Sequence, residues 1–331
     1  MKKECILSGI TPSGELTLGN YIGALQNWER LYHADNSHYY GIMNLHAITT
    51  EQSSKSLLER TLDFYAFYQA MGLDNHNSII FVQSMVPAHS ELAWILNCYT
   101  PMGWLNRMTQ YKDKINNNRN NEKAGLYSYP TLMAADILLY HASKIPVGDD
   151  QKQHIEFTRD LAGAFNRAFA IEYFTLPEPI IQSSGARIMS LNDVTKKMSK
   201  SASNDNSKIN LSDSADLIKD KIRKATTDSI SSIYYDKENR PEISNLLDIY
   251  CALGSMNIHS INDHFVRHNT SQFKNELADL IISCIMPLQN KMNRIRADRE
   301  HLERMMHVSS NKANEIANNS LQEIRKIVGL L

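Results

Sequence analysis

A chain of 331 residues with 35 Lys and Arg against 36 Asp and Glu carries a formal net charge of −1, and 42% of its residues are hydrophobic. That length asks for a large domain plus a smaller one, and the charge balance excludes a protein that grips nucleic acid by bulk charge, so such a partner must meet a local patch. No apolar run reaches the roughly 18–20 residues of a membrane span; the short apolar run after the N-terminus does not fit a secretory signal; and Cys5, Cys98, Cys251 and Cys284 form no CxxC pair, which points to buried thiols in a reducing cytoplasm rather than zinc, iron–sulfur or disulfide chemistry.

The run at 5–10 predicts a short buried strand. Tyr21, Ile22, Leu25, Trp28 and Tyr32 then recur at helical spacing, so a helix starts near Asn20. Gly9, Gly14, Gly19 and Gly23 fall across this junction, four of only 13 glycines in the chain. A second strand is predicted at 38–45, a helix at 57–71 and a third strand at 78–84. Pro87 stands at a helix start, and Pro130 opens another helix. A fourth strand is expected at 144–148, followed by a helix from about Asp150 to Ala168. Short apolar strands alternating with helices indicate a parallel sheet covered on both faces, with ligands beyond the carboxyl ends of its strands. Residues 190–210, rich in Ser, Asn and Lys, read as a mobile loop. From Ser212 onward only helical periodicity remains, including a helix near 213–225 with acids early and bases late.

Three stretches carry chemistry. The strand, glycine-rich turn and helix start at 8–25 form an anion site by type, because backbone N–H groups and the helix dipole converge there. Neither G-x-G-x-x-G nor the Walker pattern fits, since Glu15 and Leu16 stand where Lys and Ser/Thr belong. Taken alone, this loop reads as structural. Lys197-Met198-Ser199-Lys200-Ser201 places two lysines three apart on a small-residue loop, able to neutralise polyphosphate charge; a solvated basic loop is the plain alternative. Gly148-Asp149-Asp150-Gln151 follows the fourth strand and offers acceptors to a ribose or an ammonium group, although a helix N-cap would use the same residues.

Together these stretches resemble the class I aminoacyl-tRNA synthetases, and most closely their bacterial tryptophan-specific branch. The resemblance spans essentially the whole chain, from "SGITPSGELTLGNYIGAL" (8–25) through "HAIT" (46–49), "QSMVPAH" (83–89), "RMTQYKDK" (107–114), "YPTLMAADILLY" (129–140) and "PVGDDQKQH" (146–154) to "GARIMSL" (185–191), "KKMSKS" (196–201) and "ISNLL" (243–247). Thr17-Leu18-Gly19-Asn20 matches that family's form of the first signature, and Lys197–Ser201 matches the second to the letter. The implied fold is α/β: a Rossmann-like parallel-sheet nucleotide-binding domain (1–183), the KMSKS loop (184–205), a helical tRNA-recognition domain (206–290) and C-terminal helices (291–331) packing back on the catalytic domain.

The resemblance implies activation of L-tryptophan with ATP and Mg²⁺, then transfer to tRNA(Trp), by a cytoplasmic homodimer with no membrane or DNA partner. No metal ligand from the protein is implied, Mg²⁺ being carried by ATP. By residue, it implies that ATP meets Thr11, Pro12, Ser13, Thr17, Gly19, Asn20, Gly23, Gly148, Asp149, Asp150, Gln151, Ile188 and the run Lys197, Met198, Ser199, Lys200 and Ser201. The chemistry falls to Thr17, Asn20, Lys114, Lys197, Lys200 and Ser201. Tryptophan is held by Asp136 through its indole N–H, with Gly9, His46, Tyr129, Met133, Ile145, Val147 and Gln151 around it. Asp136 stands on an apolar helix, where an unpaired carboxylate would be costly; a protein donor could also serve as its partner. Departures from the family pattern are Thr11, Asn44 and Asp149. Lys219–Lys224 and Lys291–Arg304 are the expected tRNA surfaces, the apolar helices around 85–105 the expected dimer contact, and His264 and His268 are expected not to bind metal. A tyrosine-specific synthetase and a non-catalytic tRNA- or amino-acid-binding relative remain the alternatives.

Overall fold

The computed structural model describes residues 3–50, 53–111, 123–181, 187–200, 202, 204–258 and 260–331, and at Asp149 the backbone alone. Five strands form one parallel sheet: β1 (Cys5–Ile10), β2 (Ser37–Ile42), β3 (Ser78–Val82), β4 (Lys144–Val147) and β5 (Glu178–Ile181), in the order β3-β2-β1-β4-β5. The first four answer the sequence expectation. The fifth, Glu178-Pro179-Ile180-Ile181, lies at the sheet edge, where a proline is tolerated. The chain runs outward from β1 through β2 to β3, then returns to β4 on the other side of β1. The order therefore reverses between β1 and β4, which opens a crevice at their carboxyl ends. No helix among the described residues is long and apolar enough to cross a membrane.

The chain divides into two compact units. The first joins residues 1–13, 32–182 and 296–331. Its core places Leu7, Tyr39, Phe81 and Ile145 of the sheet among Leu92 and Leu96 of helix Ala88–Cys98, Ile137 and Leu138 of helix Ala124–Leu138, and Leu161 and Phe165 of helix Lys152–Ala168. Helix Arg299–Ile327 packs on the outer edge of β3. There the Ser309 hydroxyl donates to the Ile80 carbonyl, and the Val82 N–H donates to Ser310 Oγ at 3.1 Å. An edge strand covered in this way cannot recruit another chain. Arg296 pairs with Glu59 and Asp63, and Arg325 with Glu91, fastening the C-terminal segment to its own unit.

Pro130 does not open its helix. The helix begins at Ala124 and runs through the buried proline. A proline there removes one N–H and kinks the axis; packing of the apolar run 129–139 in the core outweighs that cost.

The second unit joins residues 14–31 with 183–295. It differs from the linear division in taking the glycine-rich segment after Ser13 away from β1. Its buried apolar side chains come from helices Ala215–Lys224, Pro241–Gly254 and Thr270–Ala297, among them Ile218, Leu247 and Ile281. Two buried cations fix its loops. Arg240 donates to both carboxylate oxygens of Asp228 and to the Ser232 carbonyl while lying 4.2 Å above the Tyr234 ring. Lys221, only 1% exposed, lies 2.8 Å from both Asp205 and Asp213.

Candidate active site

In the first unit, the turns beyond β2 and β3 and helices Ala88–Cys98 and Ala124–Leu138 converge on one carboxylate. Asp136 is 2% exposed. The Gln83 amide donates to its Oδ1 at 2.7 Å, His89 Nδ1 lies 2.6 Å from the same oxygen, and His46 Nε2 lies 2.7 Å from Oδ2. Gln83 is in turn fixed by the Leu45 N–H, which donates to its Oε1 at 2.9 Å, and His89 Nε2 lies 3.0 Å from the Tyr140 hydroxyl. Burial alone would push the Asp136 carboxyl up. The charge and hydrogen bond of His46, with those of His89, outweigh it and hold the group down at about 2. The buried side chain is therefore a carboxylate at neutral pH, with an orientation set from three directions.

Around it, His46 meets the Tyr129 ring edge-on at 6.1 Å between centroids. The Tyr129 hydroxyl lies 2.6 Å from His154 Nε2 and donates to Gln110 Oε1 at 3.2 Å. Gln110 donates onward to the Asp150 carbonyl at 3.0 Å, linking Tyr129 to the turn after β4. Ile145 is buried; Met133, Val147 and Gln151 are half-buried, Gly148 is exposed, and Gln151 donates to Asp150 Oδ2 at 3.1 Å. Gly9 is at the end of β1, and Pro12 accepts from Arg60 Nε at 3.0 Å in the turn that includes Thr11 and Ser13. Asn44 and Ser84 clasp the turns after β2 and β3 through two hydrogen bonds of 2.8 and 3.0 Å.

In the second unit, Thr17 and Asn20 cap one another. Asn20 N–H donates to Thr17 Oγ1 at 3.3 Å, and Thr17 N–H donates to Asn20 Oδ1 at 3.1 Å. This capping box opens helix Leu18–Asn20, which continues as a π-turn, Tyr21–Leu25; such wide turns gather at functional sites. The segment is laced to residues 209–211, with Leu18 N–H donating to the Ile209 carbonyl at 2.8 Å and Leu211 N–H to the Leu16 carbonyl at 2.7 Å. The KMSKS loop lies against it. A Cβ on Gly14 would stand 2.9 Å from the Lys200 carbonyl, and one on Gly19 would stand 3.3 Å from the Met198 Cβ. Two of the opening glycines thus allow close backbone approach to the second signature, while Gly23 faces open space. Ile188 accepts from the Met198 N–H at 3.0 Å and both residues are buried; Lys197 and Ser199 are exposed. Burial and the neighbouring Lys197 charge push the Lys200 ammonium down to about 7. Lys114 and Ser201 lie outside the described residues.

Sequence reading missed Gln83, His89, Tyr140, Gln110 and His154. "QSMVPAH" exposes the first two only as polar residues in an apolar setting; their partner is 47–53 positions away. The proposed basic surfaces also change: Lys221 is buried, Arg223 and Lys224 pair with Asp220, and Arg299 and Arg304 pair with glutamates. His264 and His268 both face Glu276, at 3.1 and 3.3 Å. Among the described residues no group of three or more His, Cys, Asp or Glu could hold a metal ion.

The family described as tRNA synthetases class I (W and Y) matches residues 2–285. The chain belongs to that family. Relatives of this synthetase include the tryptophan–tRNA ligases of Rickettsia bellii, 46% identical over 329 residues and 99% of each chain, and of a Synechocystis strain, 45% identical over 335 residues. The Synechocystis match covers 100% of this chain and 99% of the relative. Among solved structures, the tryptophanyl-tRNA synthetase of Mycoplasma pneumoniae superposes with a TM-score of 0.89 at 33% identity, covering 99% of this chain and 98% of that one. The Campylobacter jejuni enzyme, complexed with ADP and tryptophan, gives 0.82 at 31% identity, covering 98% and 99%. A tyrosyl-tRNA synthetase from Aeropyrum pernix gives 0.67 at 16% identity over 93% and 90% of the chains, a likeness of fold alone.

Proposed function

We propose that this synthetase is a tryptophan–tRNA ligase. A tryptophan carboxylate oxygen attacks the α-phosphorus of ATP, the bond to the bridging oxygen breaks, and pyrophosphate leaves. A ribose hydroxyl of the 3′-terminal adenosine of tRNA(Trp) then attacks the carbonyl of the adenylate and releases AMP. No protein nucleophile is needed, so rate comes from positioning, worth about 7–11 kcal/mol in well-oriented systems, and from charge stabilisation. The observation that carries this reading is Asp136: an ionised, buried carboxylate aimed by three donors suits an indole N–H. Tyrosine could also donate to it, and Tyr129, Met133, Ile145 and Val147 supply the shape that separates the two.

In the first unit, His46, Gly9 and Gln151 complete the tryptophan site, and Thr11–Ser13 with Gly148–Gln151 serve ATP. In the second, Thr17, Gly19, Asn20, Gly23 and Ile188 serve ATP, while Lys197, Met198, Ser199, Lys200 and Ser201 take the pyrophosphate, with Lys114 assisting. Mg²⁺ arrives on the phosphates of ATP. The protein acts in the cytoplasm as a homodimer, with Trp94 and Met102, 70% and 64% exposed, on its contact face. Pyrophosphate exchange measured across the twenty amino acids tests the assignment. Exchange with tryptophan alone is expected; exchange with tyrosine would make it the tyrosine enzyme, and exchange with none would make it a binding protein.

A further inference from the structure

The segment following the second signature contains one lysine that no part of the reaction described above uses. Lys208 Nζ donates to the carbonyl of Lys200 at 2.9 Å and to that of Ala202 at 3.1 Å. A single ammonium thereby ties two carbonyls of the loop, those of Lys200 and Ala202, to position 208. The turn just before Lys208 is tightened by Asn204, whose side chain accepts from the Asn206 N–H at 3.0 Å and whose carbonyl accepts from the Ser207 hydroxyl.

The mount behind Lys208 is rigid. Ile209 and Leu211 bond to the backbone on either side of Thr17. Asn210 donates through its backbone N–H to Asp213 at 2.9 Å and through its side chain to Asp205 at 3.0 Å. Both carboxylates lie 2.8 Å from the buried Lys221, and Gln289 donates to the carbonyls of Leu211 and Asp213 at 3.0 and 3.1 Å. The carbonyl that Lys208 holds is also the one a Cβ on Gly14 would strike.

We propose that Lys208 is a positioning residue for the activation step: its ammonium latches the KMSKS backbone at Lys200 and Ala202 to the 208–211 segment that is bonded on either side of Thr17, and so fixes where the Lys200 side chain starts. This rests on the reading that Lys200 stabilises the leaving pyrophosphate. Charge-assisted hydrogen bonds to two carbonyls are strong and directional, and release of the ammonium leaves those carbonyls to solvent and the loop free to wander. Tryptophan binding, which belongs to the first unit, is untouched.

Tryptic nicking at Lys196, Lys197 and Lys200 in the full chain reads the loop directly and needs no activity. In Lys208→Met the nicking rate rises about tenfold, since local opening governs cleavage, while the melting temperature stays that of the parent. In the same variant kcat for pyrophosphate exchange falls about tenfold at unchanged KM for tryptophan, as misplacement of a catalytic group predicts. Lys208→Arg, which can also reach two carbonyls, restores both. Unchanged nicking overturns the latch even where kcat falls, and a rise in ATP KM with unchanged nicking makes Lys208 a direct phosphate contact instead. If Lys208→Met fails to fold, Lys208→Gln, which can serve only one carbonyl at a time, must show intermediate nicking or the proposal fails. A parent chain that exchanges with no amino acid would overturn the proposed function, and nicking would still decide the latch.

Discussion

The two units treat charge in opposite ways at Asp136 and Lys200. Asp136 in the first unit is surrounded by donors already in place, so its charge is favoured and its carboxyl is held down at about 2. Lys200 in the second unit suffers burial beside Lys197, so its charge is disfavoured and its ammonium is pushed down to about 7. Asp136 is finished before a substrate arrives, as suits a group that selects by orientation. Lys200 carries its charge at a cost, as suits the proposed role of meeting a phosphate. A binding site can be stabilising when built from satisfied polar groups, whereas a group reserved for developing charge is a local cost to the fold.

The largest effect expected from breaking this contrast is at Lys200. Lys200→Met should lower kcat for pyrophosphate exchange by about 10²–10³, the range for removing one preorganised donor to transition-state charge. The same change should raise the melting temperature. A lysine whose folded value lies below its unfolded one binds fewer protons when folded, so stability rises with pH between about 7 and 10.5 in the parent. That slope should vanish in the variant. Calorimetry across that range checks it, and an unchanged slope would remove Lys200 as its source.

Next comes Asp136→Asn, which keeps shape but removes the ionised acceptor. A hydrogen bond to a charged group contributes about 1.5–3 kcal/mol, so kcat/KM for tryptophan should fall about 10–100-fold. The loss should appear mainly in KM for tryptophan, with KM for ATP unmoved. A variant that still discriminates tryptophan from tyrosine as the parent does would assign selectivity to the shape made by Tyr129, Met133 and Ile145. The smaller companion is Gln83→Leu, which removes one of three donors and should cost about tenfold in the same parameter.

The sheet was legible because short apolar runs announce themselves at β1, β2, β3 and β4. β5 was not, since Glu178-Pro179-Ile180-Ile181 is brief, carries a proline and pairs on one side only. The start of the helix through Pro130 was hidden because proline is a boundary signal that core packing overrode. Asp136 stood out as an acid in "LMAADILLY", yet its three protein partners are 47–90 residues away and no local pattern connects them. The glycines show the same limit. Their concentration is visible in the sequence, but the surfaces facing Gly14 and Gly19 are Lys200 and Met198, about 180 positions on, and only folding brings those together.

Acid sharpens the contrast from the other side. Asp136 has a folded value near 2 against an ordinary 3.8. A depressed carboxyl contributes stability that is complete above the unfolded value and is lost as pH falls through the folded one. The difference amounts to about 2 kcal/mol, which the parent should surrender between about pH 4 and pH 2 and Asp136→Asn should not. Denaturant midpoints at those two pH values check this, and parallel losses in both chains would place the acid sensitivity elsewhere.

The smallest effects separate the glycines. At Gly14 a Cβ would meet the carbonyl oxygen, carbonyl carbon and Cβ of Lys200, which cannot rotate away. Overpacking of this kind costs about 1–3 kcal/mol, and the loop that must yield is the one carrying Lys200, so Gly14→Ala should lower kcat for exchange by about tenfold. At Gly23, an exposed position of the π-turn, a Cβ would meet nothing within 4 Å. There Gly→Ala should stabilise the chain by about 0.5–1 kcal/mol with kcat intact. If Gly23 lies against ATP, that gain comes with a higher KM for ATP; an unmoved KM would leave Gly23 a feature of the π-turn and restrict the nucleotide contact to the residues before it. The pair therefore tests whether the glycine cluster serves the second signature, the nucleotide, or each at a different position.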